Sequence, residues 1–442
     1  MQDHQLHRCL TALDLTLLGI GAIIGAGVFV LTGIAAATKA GPAVTISYIL
    51  AGCAALFASL AYAEMAASIG GCGSAYQYTH VSFGKFAGWI IGWALILEYT
   101  VSVSAVAIGW SGYMNNALEV IHHGLPKILL ANPTEGGLIN LPAFLIVMIL
   151  SILLSIGVKE STHFNTVMVI IKLSVIAIFI VIASLNVKSV NWHPFAPFGW
   201  NGIAGGAAIV FFAYIGFDAV STAAEETINP QKNLPIGIIT SVFICTLIYI
   251  VVALLLTGIM HYTQLNVSSP VAEALLRIGY PIASGIIAIG AIAGLTTVML
   301  VMYYGLTRIL LAMARDGFLP PFFASIHYQT HTPIKIILLS GLVIALIAGF
   351  VPLDQAAAIV NIGTLSAFTF VCGGVIAMRH YKKDFPRPFK IPFHPLIPVL
   401  GILLCLYLMF NLSVKTWIYF IVWNFIGMLV YLLYSRKSKT SI

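Results

Sequence analysis

Apolar runs of about 20 residues recur along the whole chain, and no other feature limits its fold so strongly. Hydrophobic residues make up 60% of the 442 residues, only 8% are charged, and the mean hydropathy is +1.01. A soluble domain usually carries about 25% charged residues, so this chain has too few charged residues to form a water-facing surface. A helix of about 20 apolar residues crosses a bilayer. We therefore predict an all-α, multi-pass membrane protein, and we exclude soluble enzymes and nucleic-acid-binding modules as main interpretations.

The apolar runs also predict how the chain is oriented. Twelve spans place both termini on the same side of the membrane. Of the 21 lysines and arginines, fifteen lie on that side, five lie on the other, and Lys172 lies inside a span. Positive loops stay in the cytoplasm, so both termini are predicted to be cytoplasmic, with basic loops that contact lipid head groups. The runs cover about 14–36, 43–68, 86–115, 139–158, 164–185, 202–225, 236–260, 281–314, 334–351, 356–379, 396–413 and 417–435.

The first span is unusually rich in glycine, with Gly25-Ala-Gly27 at its centre. Inside a helix, glycine is about 1 kcal/mol less favourable than alanine. Unwound backbone at mid-membrane is tolerated only where protein or a water-filled cavity covers it. One interpretation is an interrupted helix at a substrate site. The other is a helix-packing face built on Gly21 and Gly25.

The sixth span shows the same feature, because Gly216 and Asp218 lie in the middle of its apolar run. Spans 1–5 cover about 14–185 and spans 6–10 cover about 202–379, so each half opens with an interrupted helix. Five spans per half force opposite topologies, which is typical of transporters with inverted repeats and a midplane site. Spans 11 and 12, about 396–435, fall outside the repeat. We predict one transmembrane transporter domain over 1–442.

Other classes of membrane protein fit the sequence less well. A channel or membrane receptor is the alternative, but a monomeric channel needs no site between two repeats. An intramembrane enzyme would need convergent catalytic or metal-binding side chains, and the sequence shows no such motif, so we expect no enzyme activity, metal or cofactor. The loops are too short for an ATPase domain, so transport would draw on an ion or solute gradient.

Several distinctive motifs are spread over nearly the whole chain. They are Gly-Ile-Gly-Ala-Ile-Ile-Gly-Ala-Gly-Val-Phe (19–29), Gly-Pro-Ala (41–43), Tyr-Ala-Glu-Met (62–65), Gly-Ser-Ala-Tyr-Gln-Tyr (73–78), Tyr-Ile-Gly-Phe-Asp-Ala (214–219), Glu-Glu-Thr-x-Asn-Pro (225–230), and Arg308 through Ala-Met-Ala-Arg-Asp-Gly (312–317). Together they resemble the amino acid–polyamine–organocation superfamily, and within it the cationic amino acid transporter branch in its bacterial twelve-span form. The resemblance implies a LeuT-type fold with broken helices 1 and 6, a place in the bacterial inner membrane, and amino acid transport by alternating access.

An amino acid zwitterion needs donors for its carboxylate and acceptors for its ammonium group. The N-termini of half-helices offer free N–H groups and a positive dipole end, and unwound carbonyls offer the acceptors. The family pattern implies that the backbone does most of the binding. It carries over onto Ile23, Gly25, Ala26 and Gly27 in span 1 and onto Phe212, Ala213 and Ile215 in span 6.

Three side chains bear on selectivity and gating. By the resemblance, Met302 matches a pocket position where cationic members have a smaller residue, so it predicts small neutral substrates; a core methionine is the alternative. Tyr214 is a candidate gate, and packing is the alternative. Asp218 is a candidate for a gate or for the far end of a cationic substrate, although helix capping is the preferred role.

Two charged residues lie deep inside spans. A charged lysine at a helix centre costs about 2.5–3.5 kcal/mol, and burial favours its neutral form. The resemblance suggests that Lys172 takes the place of the sodium ion of sodium-coupled members, which predicts proton coupling; a structural pairing is the alternative. Glu98 is protonated, paired with Lys172 or on the pathway. Glu64 and Glu225, nearer the cytoplasm, are predicted to form gate salt bridges with loop cations such as Lys85 or Arg315.

The leading prediction is a proton-coupled symporter of small neutral L-amino acids. The second transport interpretation is an exchanger of cationic amino acids or polyamines. The partners would be an amino acid, protons and membrane lipids, without nucleic acid, and a small accessory membrane subunit is left open.

Overall fold

The computed structural model describes residues 10–70, 74–120, 123–156, 162–327 and 332–435. Within these ranges the chain forms helices joined by loops, and the one β-type pairing is an isolated bridge between Leu10 and Thr227. The all-α prediction is confirmed for this part of the chain, whereas residues 1–9 and 436–442 of the predicted domain lie outside it. The α-helices are α1 Ala12–Ile23, α2 Thr32–Ala35, α3 Val44–Ile69, α4 Ser74–Phe83, α5 Lys85–Val120, α6 Leu141–Ile156, α7 Thr162–Leu185, α8 Gly199–Val210, α9 Phe217–Thr222, α10 Pro230–Ile259, α11 Pro270–Arg277, α12 Pro281–Arg315, α13 Ile334–Phe350, α14 Leu353–Tyr381, α15 Leu396–Phe410 and α16 Val414–Val430.

Eight helical stretches in the described part of the chain are long and apolar enough to cross a membrane. Four more helices, α1, α6, α13 and α15, are apolar but shorter. An α-helix pairs all of its own backbone groups, so runs as apolar as these become helices in lipid. The protein is a multi-pass membrane protein. The eight stretches are Gly27–Ile69, Lys85–Glu119, Asn165–Leu185, Gly199–Thr222, Pro230–Ile259, Pro281–Arg315, Leu353–Tyr381 and Val414–Leu433.

The first apolar run begins with a capping box and is interrupted at its centre. The Thr11 hydroxyl accepts from the Asp14 N–H (3.3 Å), and the Thr11 N–H donates to the Asp14 carboxylate (2.9 Å), as the sequence predicts. Helix α1 ends at Ile23, Ile24 is extended (φ −74°, ψ 100°), and the chain resumes with π-type winding at Gly27–Leu31. Short π-helical segments are frequent at functional sites.

The second interruption follows α8. A single 3-10 turn at Phe211–Tyr214 leads to Ile215, which is extended (φ −67°, ψ 138°). Gly216 then takes φ +115°, a left-handed conformation that residues with a Cβ rarely adopt. A Cβ on Gly216 would also lie 2.8 Å from the Ala22 carbonyl oxygen, so this glycine permits both the turn and the close approach of the two interrupted segments.

The interrupted segments are packed inside the bundle of longer helices. Helix α1 contacts α7, α9, α10 and α12, while the turn Phe211–Tyr214 contacts α3, α8 and α14. Helices α5 and α12 pack along each other over much of their length. The unwound backbone is therefore covered by protein, as mid-membrane backbone must be.

The last described helix, α16, is fixed to α5 by tryptophans. The indole N–H of Trp93 donates to the Trp423 carbonyl, and the indole N–H of Trp423 donates to the Trp93 carbonyl, both at 2.9 Å. Trp89 donates to the Gly427 carbonyl, also at 2.9 Å. A Cβ on Gly427 would lie 2.4 Å from the Trp93 ring, so glycine allows the close contact. Nearly all other α16 side chains face outward.

Glu64, near the end of α3, is held by two arginines. Its carboxylate accepts from Nε and Nη2 of Arg379 at 2.8 and 2.5 Å and from the Ile391 N–H at 2.8 Å. Nε of Arg387 lies 4.0 Å away. We call Glu64, Arg379 and Arg387 the Glu64 clamp. A two-bond arginine–carboxylate pair is among the stronger polar contacts in proteins.

The Glu64 clamp corrects one prediction. The sequence suggested Lys85 or Arg315 as the partner of Glu64, and this is wrong. Helix α14 packs against α3, and its last turn brings Arg379 to the carboxylate. The loop that follows folds back over the pair, because its Ile391 N–H binds the same carboxylate.

Candidate functional site

A cavity lies where the two interrupted helices meet α5 and α12. The atom-free space there amounts to about 260 Å³, which includes space open to the outside. The lining residues are Ala22, Ile23, Gly25, Ala26, Gly27, Ser102, Val106, Phe212, Ile215, Val298 and Met302.

Seven of the eight residues predicted to bind substrate line this cavity. They are Ile23, Gly25, Ala26, Gly27, Phe212, Ile215 and Met302. The eighth, Ala213, lies directly behind Gly27, since a Cβ built on Gly27 would lie 2.2 Å from the Ala213 Cα. The structure thus brings together residues that are far apart in the sequence, and their role in binding remains a prediction.

The backbone at the breaks offers both kinds of polar group. The first N–H groups of a helix have no partner within it, so the start of the segment Gly27–Leu31 presents donors. Carbonyls are freed at the end of α1 and in the turn after α8. The hydroxyl of Tyr249, on α10, lies 3.0 Å from the Ile23 carbonyl oxygen and 2.9 Å from that of Ala213. A hydroxyl has one proton, so it serves one of these carbonyls at a time and joins the two breaks.

The two glycines at the first break have different neighbours. At Gly27 a Cβ would strike Ala213 of the second interrupted helix, at 2.2 Å from its Cα and 2.3 Å from its Cβ. At Gly25 it would meet a methyl group of Val298, a cavity residue, at 3.3 Å. Gly27 therefore permits helix-to-helix contact, whereas Gly25 faces the cavity wall.

The remaining cavity wall is made by two long helices. Ser102 and Val106 come from α5, one turn apart, and Val298 and Met302 come from α12, one turn apart. Met302 is buried and lines the cavity, as predicted. Apart from the hydroxyl of Ser102, this wall is apolar.

The two predicted gating residues lie outside the cavity wall. Tyr214 donates its hydroxyl to the Tyr48 carbonyl oxygen at 2.9 Å, and its ring packs on that of Tyr249. Asp218 is buried in the first turn of α9 and accepts from the Tyr99 hydroxyl at 2.9 Å. Both therefore have structural partners, and a gating role remains a prediction.

Lys172 is completely buried and reaches the first span. Its Nζ donates to the Gly21 carbonyl oxygen, in α1, at 2.6 Å. A Cβ on Gly294, in α12, would lie 2.9 Å from the Lys172 Cε, so the alkyl chain passes close to that helix. The amine thus links α7 to the span that carries the first break.

Glu98 lies on α5, one turn before Ser102, and is 2% exposed. Its Oε2 has no hydrogen-bond partner among the described residues, and the same holds for Oδ1 of Asp218. Tyr99, which donates to Asp218, directly follows Glu98 in α5, so the two acids lie in the same part of the bundle.

Sequence reasoning missed four lining residues and the tyrosine that joins the breaks. Glu98, Ser102 and Val106 are spaced by four residues, which places them on one face of a helix. Val298 precedes Met302 by the same interval. Helical spacing from these residues was therefore a usable signal. Tyr249 carried no such signal.

Comparison with known proteins agrees with this architecture. Residues 10–433 match the family model described as amino acid permease. The chain is 50% identical over 442 residues to the branched-chain amino acid permease BcaP of Bacillus subtilis (strain 168), covering 99% of this chain and 95% of that protein. It is 48% identical over 440 residues to the methylthioribose transporter of the same organism, with the same coverage. It is 38% identical over 399 residues to cationic amino acid transporter 4 of Mus musculus, covering 87% and 62%.

The chain belongs to the amino acid permease family. The predicted superfamily is therefore confirmed, and the protein is a membrane transporter rather than an enzyme.

Proposed function

We propose that the protein is a proton-coupled symporter that imports small neutral L-amino acids by alternating access. One observation carries the proposal: the backbone of both interrupted helices and the apolar wall of α5 and α12 line the same cavity. Polar backbone on one side and apolar side chains on the other match the two ends of a neutral amino acid.

For the fold, we propose twelve spans in a LeuT-type arrangement. Repeat one would cover about 14–185 and repeat two about 202–379, with α15 and α16 outside them. The support is that each half opens with an interrupted helix, at 24–26 and at 211–216. With positive loops kept inside, both termini would lie in the cytoplasm and the protein in the bacterial inner membrane.

The zwitterion would be held by backbone. The substrate carboxylate would accept from the N–H groups at Gly25–Gly27, where the helix dipole is positive. The ammonium group would donate to the carbonyls of Ile23 and Ala213, displacing Tyr249, and to those of Phe212 and Ile215. Tyr214 and Asp218 remain the candidate gating residues, because both lie two positions from Gly216 at the second break.

The substrate side chain would face Val106, Val298 and Met302. An apolar wall favours neutral side chains, since a charged group there would lose its hydration. The name of the 50% identical relative, a branched-chain amino acid permease, supports a neutral substrate. The methionine shortens the cavity, which disfavours a side chain as long as that of arginine.

Proton coupling would depend on Lys172. As an ammonium group it ties α7 to the Gly21 carbonyl; as a neutral amine it donates more weakly, and α1 is freed to move. One pKa unit corresponds to about 1.36 kcal/mol, and a shift of a few kcal/mol is enough to change which conformation is populated. Glu98 is the second candidate, because its Oε2 is buried without a partner in the described chain.

The first test is a ligand screen on the purified protein. The twenty amino acids and methylthioribose are added separately, and the shift in melting temperature is measured. A ligand at 100 times its Kd adds about 2.7 kcal/mol of stability, which such a shift registers. Stabilisation by small neutral amino acids supports the proposal, and stabilisation by arginine or lysine alone overturns the substrate class. The second candidate substrate is methylthioribose, on the strength of the 48% identical relative, and its exclusive binding would replace the amino acid.

The second test is uptake into proteoliposomes. The best ligand of the screen is offered with an inward pH gradient, without a gradient, and with a protonophore. A proton-coupled symporter concentrates substrate only in the first condition and is indifferent to sodium. Accumulation without a gradient, or only against an internal amino acid, indicates exchange instead.

A further inference from the structure

Ser102 presents an unpaired hydroxyl to the cavity. The residue is 1% exposed, lines the cavity, and its Oγ has no hydrogen-bond partner among the described residues. Buried polar groups are normally paired, and leaving one unpaired is costly. An unpaired hydroxyl in the wall of a binding cavity therefore points to a partner that the ligand supplies.

The nearby Ser104, unlike Ser102, has a paired hydroxyl. Serine on a helix usually donates to the carbonyl four residues earlier. Ser104, on the same helix, does so: its Oγ lies 3.0 Å from the carbonyl oxygens of Thr100 and of Ile344. Ser102 makes no such bond, so both its donor and its acceptor capacity remain available.

The position of Ser102 indicates which part of a ligand it would meet. The breaks supply the polar backbone of the site, at Gly25–Gly27 and around Ala213. Ser102 comes instead from α5, beside Val106 and across from Val298 and Met302. An amino acid held by its zwitterion at the breaks would direct its side chain toward this wall.

We propose that Ser102 determines specificity by hydrogen bonding to a hydroxyl group on the substrate side chain. Threonine and serine would then be preferred over valine and alanine, which have similar shapes without the hydroxyl. The inference rests on the proposed function and narrows it to small hydroxy amino acids. An apolar pocket discriminates poorly between a methyl group and a hydroxyl. The Ser102 hydroxyl, the single polar group in the wall of α5 and α12, would therefore decide between threonine and valine.

Threonine and valine provide the test because they are nearly isosteric. Their affinities are measured by thermal shift and by competition for the best ligand, in the wild type, in Ser102→Ala and in Ser104→Ala. One hydrogen bond corresponds to about a fivefold change in affinity. We expect Ser102→Ala to weaken threonine about fivefold and to leave valine unchanged or tighter. Ser104→Ala, whose hydroxyl is already paired, should leave the threonine-to-valine ratio unchanged.

A second measurement separates a polar contact from a packing effect. L-allo-threonine places its hydroxyl and methyl groups in exchanged positions. The wild type should distinguish it from L-threonine, and Ser102→Ala should lose most of that distinction. An unchanged threonine-to-valine ratio in a Ser102→Ala protein that is monodisperse and still binds valine would overturn the inference while leaving the proposed function intact. If the wild type binds no amino acid, the proposed function fails and the inference fails with it.

Discussion

Gly27→Ala should separate the two interrupted helices. A Cβ at position 27 would lie 2.2 Å from the Ala213 Cα, whereas ordinary van der Waals contact begins at 3.4 Å, so the segments must part by about 1.2 Å. The obstacle is backbone, which has no rotamer with which to move away. Overpacking of this kind costs about 1–3 kcal/mol, which corresponds to about a five- to 150-fold loss if it falls on the liganded state.

The assay compares Gly27→Ala with a matched glycine. A Cβ on Gly205, in α8, would meet only the Lys39 side chain at 3.5 Å, an ordinary contact, so Gly205→Ala is the control. Each variant is purified, its melting temperature is measured without ligand, and its affinity for the best amino acid is determined. We expect at least a fivefold loss of affinity in Gly27→Ala and less than a twofold change in Gly205→Ala. Wild-type affinity in Gly27→Ala would show that the contact of the two breaks does not shape the site.

Four further substitutions test other contacts. Met302→Ser should lengthen the cavity and admit arginine; identical uptake profiles would make this methionine a packing residue. Lys172→Ala should bind substrate yet lose uptake driven by an inward proton gradient, and retained accumulation would exclude it as the coupling residue. Tyr249→Phe removes the hydroxyl between the breaks, so the unliganded protein should lose about 1 kcal/mol of stability, visible as a lower melting temperature. Glu64→Gln weakens the bond to Arg379 and should lower stability by about 1.5–3 kcal/mol without changing which amino acids bind; a changed ligand profile would contradict this.

Prediction from the sequence was most accurate for the membrane-spanning segments, because only a helix satisfies the backbone of an apolar run in lipid. The run predicted at about 281–314 corresponds to α12, Pro281–Arg315, because an apolar stretch in a bilayer must pair its own backbone groups. Gly216 marked the second interruption for a related reason, since few residues other than glycine adopt its φ of +115°.

Pairings between residues far apart in the chain could not be predicted from a single sequence. Glu64 and Arg379 are 315 residues apart, and no periodicity connects them. Ser102 was missed for another reason, because a lone serine in an apolar helix normally bonds to its own backbone. Only the structure shows that its hydroxyl does not.

The Glu64 clamp joins residues that are synthesised at different times. At about 5–20 residues per second, the ribosome needs about 15–60 s to extend the chain by the 315 residues from Glu64 to Arg379. During that interval α3 carries a carboxylate whose guanidinium partner does not yet exist. The charge of Glu64 is therefore compensated by the clamp arginines only after the end of α14 and the following residues up to Arg387 have been synthesised.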